Sequence, residues 1–296
     1  REGDEMALEQ YRFDGKGKFD MKGFTTTPPD SFKNKKDQIK ADTENNIKTL
    51  SKVQQHLAAQ KQYSVLIIFQ GMDAAGKDSM IEHVMSGVNP QGTSVVSFKV
   101  PTELELDHDF LWRIHKAFPA GGELTVFNRS QYEEVLVDRV HPELLLKENL
   151  PSIDSVQDVS DSLWAERFND IKALEAYARR NGILILKFFL HLSKAEQKNR
   201  FLKRIEVPEK NWKFSLADIK ERRYWDDYQK AYQEAIQNTA TKANPWFIIP
   251  SDDKWYSRLI VSQIINQEVT ALPLKYPEIS DAQKQQLEHA VEALKD

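Results

Sequence analysis

Nine consecutive residues, from Gly71 to Ser79, have the types and the spacing to hold a phosphate group. Two glycines separated by four residues and a following lysine form the frame of a Walker A loop, with an apolar run before it and a helical pattern after it. The glycines let successive backbone N–H groups converge on one anion, and the helix adds the positive end of its dipole. The alternative, a glycine turn with an incidental lysine, requires all these features to coincide. The residues predicted to bind phosphate are Gly71, Ala74, Ala75, Gly76, Lys77, Asp78 and Ser79.

Two carboxylates distinguish this loop from the usual frame. A serine or threonine that ligates magnesium normally follows the lysine, but here Asp78 follows it and Ser79 comes one place later. Asp73 lies inside the loop, where phosphates would repel a carboxylate unless a cation lay between them. We therefore predict that Asp73 binds magnesium or orients the acceptor. The alternative is a loop cap that bonds to its own backbone.

A second chemical signal follows the apolar run 124–127. Apolar residues that lead to a polar residue at a strand end are typical of a Walker B segment, although Asn128 stands where an acid is expected. The next residue, Arg129, is placed to meet phosphate oxygens with its planar guanidinium. A surface ion pair is the alternative for this arginine.

Basic residues are concentrated between Lys198 and Arg223, where nine lysines or arginines stand against four acids. Such an excess could hold an anionic substrate, and a solvated amphipathic helix is the alternative. The chain as a whole has a net charge of −4, so we expect no general affinity for polyanions such as nucleic acid.

The elements that must position these residues follow an alternating pattern. Helical patterns separate five short apolar runs, which is typical of an α/β fold whose parallel sheet is covered on both faces. The sequence therefore predicts a five-stranded parallel sheet flanked by helices. The predicted strands are Tyr63–Gln70, Ser94–Val100, Glu123–Asn128, Gly182–Leu190 and Trp246–Pro250.

The two ends of the chain differ from this central part. Residues 1–45 are polar and are predicted to form an extension rather than part of the core, before a helix over Asp37–Gln60. Ser215 marks a helix start, and Ser280 with Gln283 marks the start of a C-terminal helix. That helix has an apolar stripe which could pack on the domain or on a second subunit.

Composition excludes several classes of protein. The chain has no cysteine, which rules out disulfides, thiolate metal sites and cysteine nucleophiles. The longest apolar run, Ile183 to Leu190, contains Lys187 and is too short to span a bilayer. With no export segment evident at the N-terminus, we expect a cytoplasmic protein without a membrane partner.

Several motifs together resemble the polyphosphate kinase 2 family. They are GMDAAGKDS at 71–79, Leu106–Arg113, FNRSQYE at 127–133, Glu196–Arg200, Trp212-Lys213, Trp225–Tyr228 and Ala243–Trp246. The resemblance implies a thymidylate-kinase-like P-loop kinase fold and magnesium, with manganese possible. It also implies phosphoryl transfer between inorganic polyphosphate and nucleotides. Asn128 and Glu133 resemble the class that phosphorylates nucleoside mono- and diphosphates, whereas Gln131 stands where the family often has histidine.

The resemblance also implies roles for single residues. Lys77 and the loop N–H groups would hold the transferring phosphoryl group, Asp73 would bind the metal, and Glu133 would help to place the acceptor. Arg129 and Arg139 would meet phosphate chains, the helix with Arg200 and Arg204 would form a lid, and Lys213 would extend the anion track. For Arg139, Arg200, Arg204 and Lys213 a solvated or ion-paired role remains open.

These inferences predict three parts: an extension over 1–45, a phosphotransferase domain over 46–270 with a lid at about 195–225, and a C-terminal helix over 271–296. We expect a homo-oligomer, a dimer or a tetramer, that reversibly transfers phosphate from polyphosphate to AMP and ADP. One alternative is an ATP-dependent nucleoside monophosphate kinase, which needs an adenine pocket on its donor side. Another is a non-catalytic nucleotide or polyphosphate sensor, against which the intact Asp73, Lys77 and Arg129 argue.

Overall fold

A mixed sheet of six strands organises the part of the chain that the computed structural model describes, residues 8–295. The order across the sheet is β1-β6-β5-β2-β4-β3; β1 is antiparallel to β6, and the other neighbours are parallel. The strands are β1 (Arg12–Phe13), β2 (Ser64–Gly71), β3 (Thr93–Ser97), β4 (Leu124–Asn128), β5 (Ile183–His191) and β6 (Trp246–Pro250). The five predicted parallel strands are confirmed. The predicted strand number is wrong by one, because the two-residue β1 has no periodicity to reveal it.

Helices cover both faces of this sheet, as the sequence predicts for continuous apolar strands. They are α1 (Lys36–Gln60), α2 (Lys77–Met85), α3 (Glu103–Leu106), α4 (Trp112–Lys116), α5 (Glu133–Val140), α6 (Asp161–Arg180), α7 (Lys194–Glu206), α8 (Leu216–Glu221), α9 (Trp225–Thr239), α10 (Lys254–Thr270) and α11 (Asp281–Ala293). On one face α10 packs on α1 and α2, and on the other α9 packs on α5 and α6. Strand β5 shows the consequence, since all nine of its residues are buried.

The N-terminal segment corrects a prediction. Phe13, Phe19 and Met21 are buried in the core on the α9 side of the sheet, so residues 8–45 are not merely an extension. Side-chain amides of α9 replace a strand partner here, because Gln237 accepts the Phe19 N–H at 2.6 Å and Gln233 accepts the Met21 N–H at 2.9 Å. Residues 1–7 of the predicted extension lie outside the described part of the chain.

The C-terminal helix begins as predicted, because Ser280 and Gln283 form a capping box. Its apolar side chains Leu287, Val291 and Leu294 are exposed. The helix predicted from Ser215 is divided, since a 3₁₀ turn at Arg222–Tyr224 separates α8 from α9. Within residues 8–295, the helices are all too short or too polar to cross a bilayer.

Candidate active site

The loop between β2 and α2 requires glycine at both predicted positions. A Cβ at Gly71 would lie 3.0 Å from the Cβ of Ala75 and 3.2 Å from that of Leu190. Gly76 has a φ of 102°, in the left-handed region that favours glycine. The chain thereby turns at the carboxyl end of a central strand and presents the first N–H groups of α2 to the space above the sheet. This geometry can bind phosphate.

Lys77 lies across this loop in a half-buried position. Its Nζ donates to the carbonyl oxygen of Gly71 at 2.7 Å and more weakly to that of Met72 at 3.4 Å. Burial, and then the charge of Arg129, lower the pKa of Lys77, while nearby carboxylates oppose the shift. A bound phosphate would replace the carbonyl partners and favour the charged amine.

Three more predicted residues meet beside Lys77. Arg129 directly follows β4, with a φ of 65°, and its guanidinium lies 3.2 Å from Glu133 Oε2 and 3.5 Å from Asp73 Oδ1. The negative charge of Glu133 raises the pKa of Arg129, and this effect is larger than that of burial, which lowers it. Gln70, at the end of β2, donates to the other oxygen of Glu133 at 2.9 Å. The structure therefore brings Asp73, Lys77, Arg129 and Glu133 together.

Three side chains with oxygen atoms that suit a hard cation line the same cavity: Asp73, Asp78 and Asn128. Asn128 donates its amide hydrogen to Asp78 Oδ1 at 2.6 Å, which joins the end of β4 to the start of α2. Asp73 keeps 29% of its side chain exposed and has Arg129 as a distant ion partner. Carboxylate and amide oxygens of this kind suit Mg²⁺ or Mn²⁺, and Asp73 also faces the cavity.

A second carboxylate cluster, Glu134, Asp138 and Glu148, has ligand atoms within 4.8 Å of one another. Arg167 lies among these acids, 3.2 Å from Asp138, and forms ion pairs with the other two. Arg113 also bonds to Glu134 at 2.9 Å. We therefore interpret this cluster as a buried ion-pair network rather than a metal centre.

A cavity of about 670 Å³ opens above the phosphate loop. Its lining includes nine lysines or arginines and three aspartates, which makes it strongly cationic. The basic residues are Lys77, Lys99, Arg129, Arg200, Lys203, Arg204, Lys210, Lys213 and Lys254. Burial, and then surrounding cations with Arg200 first, lower the pKa of Lys254 to about 8. Such a density of positive charge suits a ligand with several negative charges.

The cavity takes in most of the predicted phosphate-binding residues. Asp73, Ala74, Gly76, Lys77, Asp78, Ser79, Asn128, Arg129, Arg200, Arg204 and Lys213 line it, whereas Gly71, Ala75, Glu133 and Arg139 do not. Arg139 is held instead by Glu234 at 2.8 Å and lies over the ring of Trp164. Its position favours the ion-paired alternative.

Arg200 lies in the cavity wall, but its hydrogen bonds differ from those of a mobile lid residue. Nη1 donates to the carbonyl oxygens of Ala74 and Ala75 at 2.9 and 3.0 Å. Nη2 donates to those of Ser251 and Asp252 at 2.5 and 3.3 Å, and Nε donates to Glu196. The guanidinium therefore fixes the phosphate loop to the end of β6 and to α7.

Arg204, one turn further along α7, is more accessible. It contacts Asp218 at 3.0 Å and keeps 21% of its side chain exposed. The 3₁₀ helix Pro208–Lys213 follows, where Trp212 is 78% exposed and the Nζ of Lys213 lies over its ring. These residues lie beyond Arg200 at the side of the cavity.

Sequence reasoning missed several residues of this site. Lys203 and Lys210 belong to the basic stretch that was recognised only as a whole, while Lys99 and Lys254 follow β3 and β6. Their common signal is a position just beyond the carboxyl end of a parallel strand, where ligand sites concentrate. Gln70 carried no signal, because an amide at the end of an apolar run has no motif.

Comparisons with known proteins find similar sequences and a similar structure. A family model described as polyphosphate kinase 2 matches residues 33–276. An ADP-polyphosphate phosphotransferase of Rhodopseudomonas palustris is 47% identical over 282 residues, 95% of this chain and 96% of that protein. An AMP/ADP-polyphosphate phosphotransferase of Meiothermus ruber is 41% identical over 92% of this chain and 96% of its own. The crystal structure of polyphosphate kinase 2 from Arthrobacter aurescens is similar with a TM-score of 0.83 and 35% identity, over 95% of each chain.

Proposed function

The chain belongs to the polyphosphate kinase 2 family, and we propose that it transfers phosphoryl groups from inorganic polyphosphate to AMP and to ADP. The observation that carries this proposal is the 670 Å³ cavity with nine basic residues directly above the phosphate loop. ATP ends in a base that needs an apolar slot, whereas polyphosphate continues as repeated charge. A cavity lined by nine basic residues supports polyphosphate as the donor.

Transfer requires positioning and charge neutralisation rather than a protein nucleophile. The loop N–H groups and Lys77 hold the transferring phosphoryl group, and Arg129 moves toward it from Asp73 and Glu133. Asp73 would hold a divalent cation, magnesium or manganese, which would supply positive charge to neutralise the phosphates. Lys203, Lys210 and Lys213 bind the remaining phosphates of the polyphosphate chain, and Arg204 approaches the transferring group as charge spreads over it.

The acceptor lies on the side of Glu133. Its carboxylate is fixed between Arg129 and Gln70, so it is oriented without lining the main cavity. One relative is named for AMP and ADP together, and another for ADP alone. Together with the resemblance of Asn128 and Glu133 to the class that accepts mono- and diphosphates, this supports both acceptors, and we assign to Glu133 the placement of a monophosphate.

A donor comparison tests the function. Purified protein is incubated with AMP, magnesium and polyphosphate, without ATP, and products are separated by chromatography. We expect ADP first and ATP later. Added potassium chloride should raise the polyphosphate KM more than the AMP KM, because screening acts over about 8–10 Å at physiological ionic strength.

The control is Lys77→Ala, which should form neither product. No product from polyphosphate but rapid ADP formation from ATP and AMP would make the protein a nucleoside monophosphate kinase. Nucleotide binding without product from either donor would identify a sensor.

A further inference from the structure

A lysine is fully buried in the middle of the central sheet. Lys187 lies on β5 with 0% exposure, and its Nζ donates to Glu175 Oε2 at 2.7 Å. It also donates to the hydroxyl of Tyr132 at 3.0 Å and to the carbonyl oxygen of Thr239 at 3.2 Å. Glu175, on α6, is 1% exposed. Neither member of this pair lines the phosphate cavity.

The second oxygen of Glu175 connects the pair to residues 129–133, which we call the arginine loop. Tyr132 donates its hydroxyl hydrogen to Glu175 Oε1 at 2.6 Å, and Gln131 donates from Nε2 to the same atom at 3.2 Å. These two residues stand between Arg129 and Glu133. A buried carboxylate thus holds the middle of the segment whose two ends meet at the site.

Stability gives no sufficient reason for this pair. Removing two charges from water costs more than their attraction often returns, and apolar replacements of buried ion pairs are often neutral or stabilising. Strand β5 consists otherwise of apolar residues and a terminal histidine, so apolar side chains at both 187 and 175 would suit this buried part of the sheet. The pair instead provides a carboxylate that accepts hydrogen bonds from Gln131 and Tyr132, which an apolar residue could not do.

The arginine loop needs such a connection because its backbone is strained. Arg129 has a φ of 65°, and a non-glycine residue keeps that conformation only where its surroundings fix it. Ser130 is held from one side, where its hydroxyl donates to Gln70 Oε1 at 3.0 Å. Glu175 accepts hydrogen bonds from the next two residues, Gln131 and Tyr132.

We propose that Lys187 and Glu175 are positioning residues that hold Tyr132 and Gln131 and thereby orient Arg129 and Glu133 toward the reacting phosphates. The inference rests on the proposed function for the identity of those phosphates. Lys187 fixes Glu175, Glu175 fixes the loop, and neither touches substrate. The predicted effect is therefore on turnover rather than on substrate affinity.

The test compares two buried tyrosines that each lose one hydroxyl. Tyr132→Phe breaks the contact with Glu175, while Tyr256→Phe breaks a 2.5 Å contact with Tyr11 at a position that does not line the cavity. Each variant should lower the melting temperature by about 2–4 °C. Tyr132→Phe should also lower kcat about fivefold with less than a twofold change in KM, equivalent to about 1 kcal/mol of barrier. Tyr256→Phe should leave kcat unchanged.

An unchanged kcat for Tyr132→Phe, or a change confined to KM, overturns the inference and reduces the pair to a structural role. Should that variant fail to fold, Gln131→Met breaks the other contact with Glu175 and is judged by the same split between kcat and KM. The rates are measured with whichever donor the wild-type protein uses. An inactive wild type with polyphosphate therefore refutes the proposed function, whereas equal kcat values in active proteins refute this inference.

Discussion

Replacing Arg200 by alanine removes five hydrogen bonds that its guanidinium donates, at a residue that is only 7% exposed. Four of them end on backbone carbonyl oxygens, two in the phosphate loop and two beyond β6. A buried acceptor without its donor costs about 1–3 kcal/mol. Taking the low end, because water can enter the vacated space, gives a loss of roughly 3–4 kcal/mol in the free energy of unfolding.

Arg204 is the matched comparison, since it lies on the same helix and also lines the cavity. Its ion pair with Asp218 is partly exposed, at 21% and 29%, and pairs of this kind contribute at most about 1 kcal/mol. At about 2–4 °C per kcal/mol, Arg200→Ala should melt roughly 6–16 °C below the wild type and Arg204→Ala within about 4 °C of it.

The assay is a thermal melt followed by circular dichroism without ligand, together with steady-state kinetics. We expect Arg204→Ala to lower kcat more than it raises the nucleotide KM, because its contact forms mainly as charge spreads over the transferring group. Arg200→Lys should still show most of the decrease in melting temperature, since one ammonium cannot reach four carbonyls arranged for a planar guanidinium. Equal melting temperatures for Arg200→Ala and Arg204→Ala would refute the structural role of Arg200.

Three further substitutions test the remaining assignments. Lys77→Ala should lower turnover by orders of magnitude with little change in melting; retention of more than about a tenth of activity, under about 1.4 kcal/mol of barrier, would exclude its role. Glu133→Asn should reduce AMP phosphorylation far more than ADP phosphorylation, and equal reduction would contradict acceptor placement. Burial, and then Glu134, raise the pKa of Asp138 from 3.8 to about 9, so the folded chain keeps a proton that the unfolded chain releases, and stability falls as pH rises toward that value. Asp138→Asn removes this proton uptake, so its melting temperature relative to wild type should increase from about pH 5.5 to about pH 8; a constant difference would argue against it.

The sequence was sufficient where local spacing determines position. Arg129 directly follows β4, and Lys77 begins the helix after the loop that follows β2. Parallel strands place their carboxyl ends at one edge of the sheet, so the convergence of the two residues could be predicted. The burial of strands β2 and β5 followed from their continuous apolar character.

Contacts between distant segments could not be predicted in this way. Arg200 donates to backbone carbonyl groups more than a hundred positions away in the phosphate loop. Because every residue has a backbone carbonyl, no residue type in the sequence indicates these contacts. Arg139 meets Glu234 across a similar separation in sequence. The two-residue β1 and the amide contacts of α9 likewise leave no periodic pattern. Apart from the corrected role of residues 8–45, the division of the chain into parts and the homo-oligomeric state remain predictions.

The anchoring of Arg200 also determines where helix α7 can pivot. Because this side chain fixes the first half of the helix to the phosphate loop, any rotation of the segment beyond it must use Arg200 as its axis. Six residues separate Arg200 from the end of α7 at Glu206, a lever arm of about 9 Å. A rotation of about 15° would then displace the helix end by only about 2 Å, which is less than the diameter of a phosphate group. Larger displacements must come from the backbone after Glu206, where Pro208 begins a 3₁₀ helix and Lys210 and Lys213 are carried with it.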